Sequence, residues 1–134
     1  MTYCCTEQFY QSRKTALVGD IQSETSIMMA TNPLEMKRTG DAIVLQPADR
    51  KSWDSVKDSI MKKAVAAKFT QNEVAKQALL NTGTKKLAEA SMDKHWGCGK
   101  RLKDQDLLTS TKWKAGKSTM GNILTAIRKE IASN

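Results

Sequence analysis

A chain of 134 residues and 14.9 kDa is the size of one domain, in which about two-thirds of the unfolded surface can be buried around a single core. Its 22 Lys and Arg against 14 Asp and Glu leave a formal charge of +8, scattered rather than blocked, which favours phosphate-bearing partners without naming one. No apolar run approaches the roughly 18 residues of a membrane helix, no basic-then-apolar leader opens the chain, and three cysteines, two adjacent at Cys4 and Cys5, make a poor disulfide framework. The expectation is a cytoplasmic protein with reduced thiols and no membrane association.

Residues 6–17 read as a first helix, with Thr6 as N-cap and Phe9, Tyr10, Ala16 and Leu17 as its apolar surface. Glu7, Gln11 and Lys14, four and three positions apart, share one face, an alignment that ordinarily marks the solvated side. A second short helix covers 22–30. Asn32-Pro33 breaks the chain before a helical turn over 34–39 that Gly40 ends. Ile43, Val44 and Leu45 fit a short strand or a buried linker before Pro47.

From Trp53 onward, Val56, Ile60, Met61, Ala64 and Ala67 recur at helical spacing and predict a helix over 52–69. Thr70-Gln71-Asn72-Glu73 has the capping-box pattern of a following helix, with Val74, Ala78 and Leu79 as its buried stripe and Gly83 as its stop. Residues 86–90 read as a short strand and 104–117 as irregular. A final helix over 119–131 turns Met120, Ile123, Leu124 and Ile127 inward. The expected class is α+β, predominantly α-helical, one compact domain with a few short strands.

The densest chemistry lies in 86–100, where Glu89, Asp93 and Trp96 stand beside the Gly97-Cys98-Gly99 turn. A carboxylate next to an aromatic plate is how a protein holds a sugar or a base. Trp96, flanked by Lys94, His95 and Gly97, suits a ring presented from a loop, whereas Trp53 and Trp113 fit a core as readily. Asp93 and Glu89 serve equally well as surface carboxylates or caps of the next turn. Gly116-Lys117-Ser118-Thr119 resembles the tail of a phosphate-binding P-loop, but Thr111 stands where the full pattern needs glycine, leaving a helix N-terminus able to attract a phosphate. Cys4, Cys5, His95 and Cys98 follow no zinc-ligand spacing, so no metal is expected. Cys98 lies too close to the single histidine for a Cys–His catalytic pair.

Several segments carry a joint signal. Thr6-Glu7-Gln8-Phe9-Tyr10-Gln11-Ser12-Arg13-Lys14 is followed by Asn32-Pro33-Leu34-Glu35-Met36-Lys37-Arg38-Thr39-Gly40 and by Trp53 with Lys57, Ile60 and Met61. Then come Ala67-Lys68-Phe69-Thr70-Gln71-Asn72, Leu79-Leu80-Asn81-Thr82-Gly83, and Leu87-Ala88-Glu89-Ala90-Ser91 with Asp93, Trp96, Gly97 and Gly99. The last block is 116–121 with Leu124 and Arg128. In this order, over nearly the whole chain, the sequence resembles the NADAR family, which includes N-glycosidases of riboflavin-biosynthesis intermediates. The first segment is similar to that family's Glu-x-x-aromatic-Gln-x-x-Lys helix. Three departures stand out. The aromatic-rich segment usual upstream of the glutamate helix is not present, so part of the pocket wall is expected to be missing or supplied by another chain. Gly116-Lys117-Ser118 stands where Gly-x-Asn is common, and Asp41 where arginine is common.

The resemblance implies a single NADAR-like domain over 1–134 that cleaves the bond between a ribose anomeric carbon and a nitrogen. The substrate would be an ADP-ribose adduct on guanine or a ribosylamino-pyrimidine phosphate. Such a bond breaks through an oxocarbenium-like centre that needs nearby negative charge, a nucleophile and a grip on the leaving base. Glu7 and Asp93 would be the catalytic carboxylates. Lys14 would be an alternative nucleophile that captures an opened sugar as a Schiff base. Gln11, Trp53, Trp96, Gly97, Ser118 and Arg128 would bind substrate. The implied partners are a phosphorylated ribosyl or ADP-ribosyl small molecule, or ADP-ribosylated nucleic acid, with no cofactor and no metal. Two other readings stay open: a catalytically silent ADP-ribose or nucleotide-binding module, and a basic nucleic-acid-binding protein without a pocket.

Overall fold

The computed structural model of the chain describes residues 2–105, 107 and 116–134, which form six helices. These are α1 (Thr6–Val18), α2 (Ile21–Met29), α3 (Pro33–Asp41), α4 (Pro47–Gln71), α5 (Glu73–Asn81) and α6 (Thr119–Ala132). Among the described residues there is no strand, so the expected α+β class is corrected to all-helical. The strand expected over 86–90 is extended chain whose neighbours are turns. The Glu89 carbonyl accepts from Ser91 at 2.9 Å and Cys98 at 3.0 Å, with no second strand to build a ladder. The stretch 43–45 is a linker, with Leu45 buried and Val44 exposed. Most of the irregular stretch expected over 104–117, including Thr111, Trp113 and Lys114, lies outside the described residues. No described helix is long and apolar enough to cross a membrane. The chain divides into two compact units, Met1–Lys68 and Phe69–Asn134.

In the first unit α1 packs on α2 and α3, and α2 on α3. Cys5 rather than Thr6 is the N-cap of α1, and its side chain makes no capping bond. Gly19, in the left-handed conformation at φ 71°, ends that helix. Asp20 caps α2 by accepting from Ser23 N at 2.9 Å; Asn32 caps α3 by accepting from Glu35 N at 3.0 Å, and Pro33 fills its first turn. Gly40, expected to stop α3, lies inside it. Ile27 and Met36 are wholly buried, each worth about 1.5–3 kcal/mol relative to exposure.

The buried face of α1 is largely polar, and of its expected apolar surface only Tyr10 is buried. Gln8 is 4 %, Gln11 2 %, Ser12 2 % and Thr15 0 % exposed, while Phe9 and Leu17 are half-buried and Ala16 exposed. Burial of this face is tolerated because most of its groups find partners, Gln11 Oε1 being the exception. Gln8 Nε2 donates to the carbonyls of Ile27 and Met28, both at 3.3 Å, and Gln8 Oε1 accepts from Cys4 N at 2.8 Å. The Ser12 and Thr15 hydroxyls donate to carbonyls one turn back. The displaced apolar stripe, with Val56 and Ile60 of α4, lines an open groove of about 640 Å³ rimmed by Arg13 and Lys63. Helix α4 starts at Pro47, five residues before the predicted start, and buries Trp53, Met61, Ala64 and Val65. The Trp53 ring packs on Tyr10 with centroids 5.0 Å apart.

In the second unit α5 packs on α6. Asn72, and not Thr70 of the expected capping box, caps α5 by accepting from Ala75 N at 3.0 Å, since Thr70 still belongs to α4; Gly83 follows the helix at φ 60°. Leu79, Cys98, Ile123 and Ile127 are buried. Residues 94–97 run over the start of α6, and Gly121 in its first turn admits the Leu87 carbonyl, which a Cβ there would meet.

Candidate active site

Glu7, Gln11 and Lys14 lie on one face of α1, set by their four- and three-residue spacing. That face meets α3. Gln11 Nε2 donates to Glu7 Oε1 at 2.7 Å, so the amide orients the carboxylate. Lys14 Nζ donates to the Gly40 carbonyl at 2.7 Å. Burial pushes the Lys14 amine below the ordinary lysine pKa; Asp41 opposes the shift, and Arg50, Lys37 and Lys57 reinforce it. An amine that yields its proton more readily is a better nucleophile near neutral pH. Trp53 is a buried ring on Tyr10 in the same unit, consistent with its core alternative.

The second unit places Asp93, Trp96, Gly97 and Ser118 in one knot of backbone. Asp93 Oδ1 accepts from the amides of His95 at 2.9 Å and Trp96 at 2.8 Å, while its own N–H donates to Ser91 Oγ at 3.0 Å. Asp93 therefore caps the turn that carries Trp96, whose half-buried ring meets His95 edge-on at 4.5 Å. Gly97 is buried, and glycine is needed there because a Cβ would meet the Ser91 backbone. Ser118 sits at φ 53°, a left-handed conformation uncommon for serine, and its amide donates to the Gly97 carbonyl at 3.0 Å.

The start of α6 was expected to be open to a phosphate. Instead the amides of Lys117, Thr119 and Met120 donate to the carbonyls of Lys94, His95 and Trp96 at 2.8–3.2 Å. The donors that would hold an anion there are used within the chain. Arg128 Nη1 donates to Thr82 Oγ1 at 2.7 Å and to the Lys85 carbonyl at 2.9 Å, joining α6 to the end of α5.

Among the described residues, two buried side-chain polar atoms have no hydrogen-bond partner: Gln11 Oε1 and Ser118 Oγ. Both belong to residues that the family resemblance gives to substrate. Unpaired buried polar atoms are uncommon and each calls for a reason, such as a ligand. No group of three or more His, Cys, Asp or Glu among the described residues is placed to hold a metal. Cys5 Sγ donates instead to Met36 Sδ at 3.6 Å, and Cys98 Sγ to the Lys100 carbonyl at 3.6 Å. The sequence presents Gly40 as a helix stop and as the end of the Asn32–Gly40 family segment, not as a neighbour of Gln11 and Lys14. Its place between Gln11 and Lys14 had one available signal, a glycine inside a helical run.

The NADAR domain family model matches residues 1–132. An N-glycosidase of Nostoc punctiforme is 34% identical over 132 residues, covering 97% of this chain and 76% of that protein. The Caenorhabditis elegans protein irg-1 is 33% identical over 132 residues, covering 98% of this chain and 62% of its own length. The chain thus spans between about three-fifths and three-quarters of these relatives. The NMR structure of the Escherichia coli protein YbiA superposes with a TM-score of 0.72 at 28% identity, covering 96% of this chain and 67% of that one; YbiA is named an N-glycosidase. With its glutamate helix, its Asp93–Trp96 turn and a family match over nearly its full length, the chain belongs to the NADAR domain family.

Proposed function

We propose that the chain is an N-glycosidase that hydrolyses ribosyl–nitrogen bonds, with ADP-ribose on a guanine base or nucleotide as the preferred substrate over a ribosylamino-pyrimidine phosphate. The observation that carries the reading is the α1 face. Glu7, oriented by Gln11, and Lys14, with its reduced hold on a proton, stand seven residues and hence about 10 Å apart along the axis. A carboxylate and a deprotonatable amine on one face suit a ribose whose anomeric carbon becomes positive as the base departs. Glu7 would stabilise that charge or take a proton from water. Lys14 would attack the opened sugar and release it on hydrolysis of the imine. Asp93 would orient ribose hydroxyls or protonate the leaving nitrogen, and Trp96 would stack on the base. The naming of relatives as N-glycosidases at 30–34% identity supports the reaction class. The +8 charge supports the polyanionic substrate and would extend it to ADP-ribosylated nucleic acid in the cytoplasm.

Incubation with ADP-ribosylated guanine nucleotide and, separately, with the ribosylamino-pyrimidine phosphate tests the proposal. Release of ADP-ribose from the first at the higher kcat/KM is expected. Binding of both without release of base from either would replace the enzyme with a silent binding module.

A further inference from the structure

We infer that Gly40 is a positioning residue for the candidate catalytic groups of α1, holding Glu7 through Gln11 and Lys14 through its own carbonyl. The inference rests on the N-glycosidase reading. Gly40 lies inside α3, where glycine weakens a helix relative to alanine. Its φ is not positive, so backbone conformation gives no reason for glycine. The surroundings give one: a Cβ at position 40 would overlap Oε1 and Cδ of Gln11. Both residues are buried, and Gln11 has little freedom to withdraw because its Nε2 is bonded to Glu7 at 2.7 Å. A side chain at position 40 would push Gln11 and, with it, the carboxylate.

On its other side, the Gly40 carbonyl accepts from Lys14 Nζ at 2.7 Å. A neutral amine has two N–H groups and one lone pair. Committing one N–H to this carbonyl turns the lone pair away from the peptide, as attack on an electrophile requires. Burial at the same place lowers the proton affinity of the amine. One glycine thereby fixes the partner of the carboxylate and the orientation of the amine. A glycine needed only for packing would affect stability and leave the catalytic ionisation alone.

The test is a cycle on the full chain of Gly40→Ala, Gln11→Ala and the double variant. It is read by thermal melting, by steady-state cleavage of ADP-ribosylated guanine nucleotide, and by the pH profile of kcat. Gly40→Ala is expected to melt below the parent although alanine is the better helix former, and the double variant no lower than Gln11→Ala. In Gly40→Ala, kcat should fall about tenfold or more with KM within about threefold. The rise of kcat with loss of the Lys14 proton should move to higher pH as water reaches the amine. A Gly40→Ala protein that melts above the parent, or keeps the parental kcat and pH profile, overturns the inference. If Gly40→Ala does not fold, the double variant decides, since the space for a Cβ then exists: folded with the shifted profile supports the inference, unfolded overturns it. A parent that cleaves no ribosyl–nitrogen substrate sinks the enzymatic reading separately, and the melting cycle still decides whether Gly40 holds Gln11.

Discussion

Ser118 donates its amide to the Gly97 carbonyl at 3.0 Å while held at φ 53°, so the bond joining the Trp96 turn to α6 is made by a residue in a conformation that serine disfavours. Its hydroxyl is buried and unpaired in that position. The pattern common in the family has asparagine here, which tolerates the left-handed region better than serine.

Ser118→Gly should therefore stabilise the protein by about 1 kcal/mol, since glycine adopts positive φ without steric cost and no hydrogen bond of the hydroxyl is lost. The same variant should raise KM if the hydroxyl contacts ligand. Chemical denaturation and steady-state kinetics check the two halves. A Ser118→Gly protein less stable than the parent would mean that the serine side chain has a structural role.

Lys14 makes stability depend on pH in a defined direction. Its pKa is lower folded than unfolded, so between the folded value and 10.5 the unfolded chain binds more protons and stability rises with pH. Below the folded value both states are protonated, and the full burial penalty remains. Lys14→Met should remove this contribution, and the melting advantage of the variant over the parent should shrink as pH rises towards 10.5. A difference in melting temperature that is flat from pH 7 to about 10 would show that the amine titrates alike in both states. On the catalytic side, Lys14→Ala should abolish an adduct that borohydride traps in the parent during turnover; a modest loss of rate with no adduct would leave Lys14 as a phosphate or ribose contact.

Asp93 has two separable roles. Asparagine keeps an oxygen that can accept from His95 N and Trp96 N but loses the charge, so Asp93→Asn should keep the parental melting temperature and lose turnover. Asp93→Ala should lose turnover and, in addition, about 1 kcal/mol of stability with the cap. Glu7→Gln should behave like Asp93→Asn, since the new amide can still accept from Gln11 Nε2. Undiminished cleavage by both charge-neutral variants would remove the carboxylates from the mechanism.

The parts legible in the sequence were those set by local rules. The Asn32-Pro33 break opens α3 and Gly83 ends α5 as their residue types predict, and Glu7, Gln11 and Lys14 share a face because helical spacing leaves no choice, whereas α5 is capped by Asn72 and not by Thr70 of the expected capping box. Which way that face points was not legible. Polar side chains usually face water, and the inward turn of α1 depends on Gln8 finding the Ile27 and Met28 carbonyls some twenty residues away. The false strand at 86–90 has the same origin: extended chain is local, but the pairing that would make it a strand is not. Gly97 and Gly121 were visible as residues, yet the backbone that each approaches, at Ser91 and Leu87, was not.

Trp96 is carried by the turn that Asp93 caps, and its carbonyl accepts from Met120 N at 3.2 Å, so the backbone under the ring is held independently of the ring. Removing the indole should therefore leave the α6 start intact and take away a stacking surface. Trp96→Ala is expected to weaken binding of ADP-ribosylated guanine nucleotide by about 1–3 kcal/mol, roughly five- to 150-fold in KM, with kcat less affected. Trp96→Phe should recover much of the loss, because a smaller ring still offers a stacking face. Titration calorimetry on an inactive Asp93→Asn background separates binding from turnover. Equal affinity of the Trp96→Ala and Trp96 proteins in that background would place the base elsewhere than on this ring.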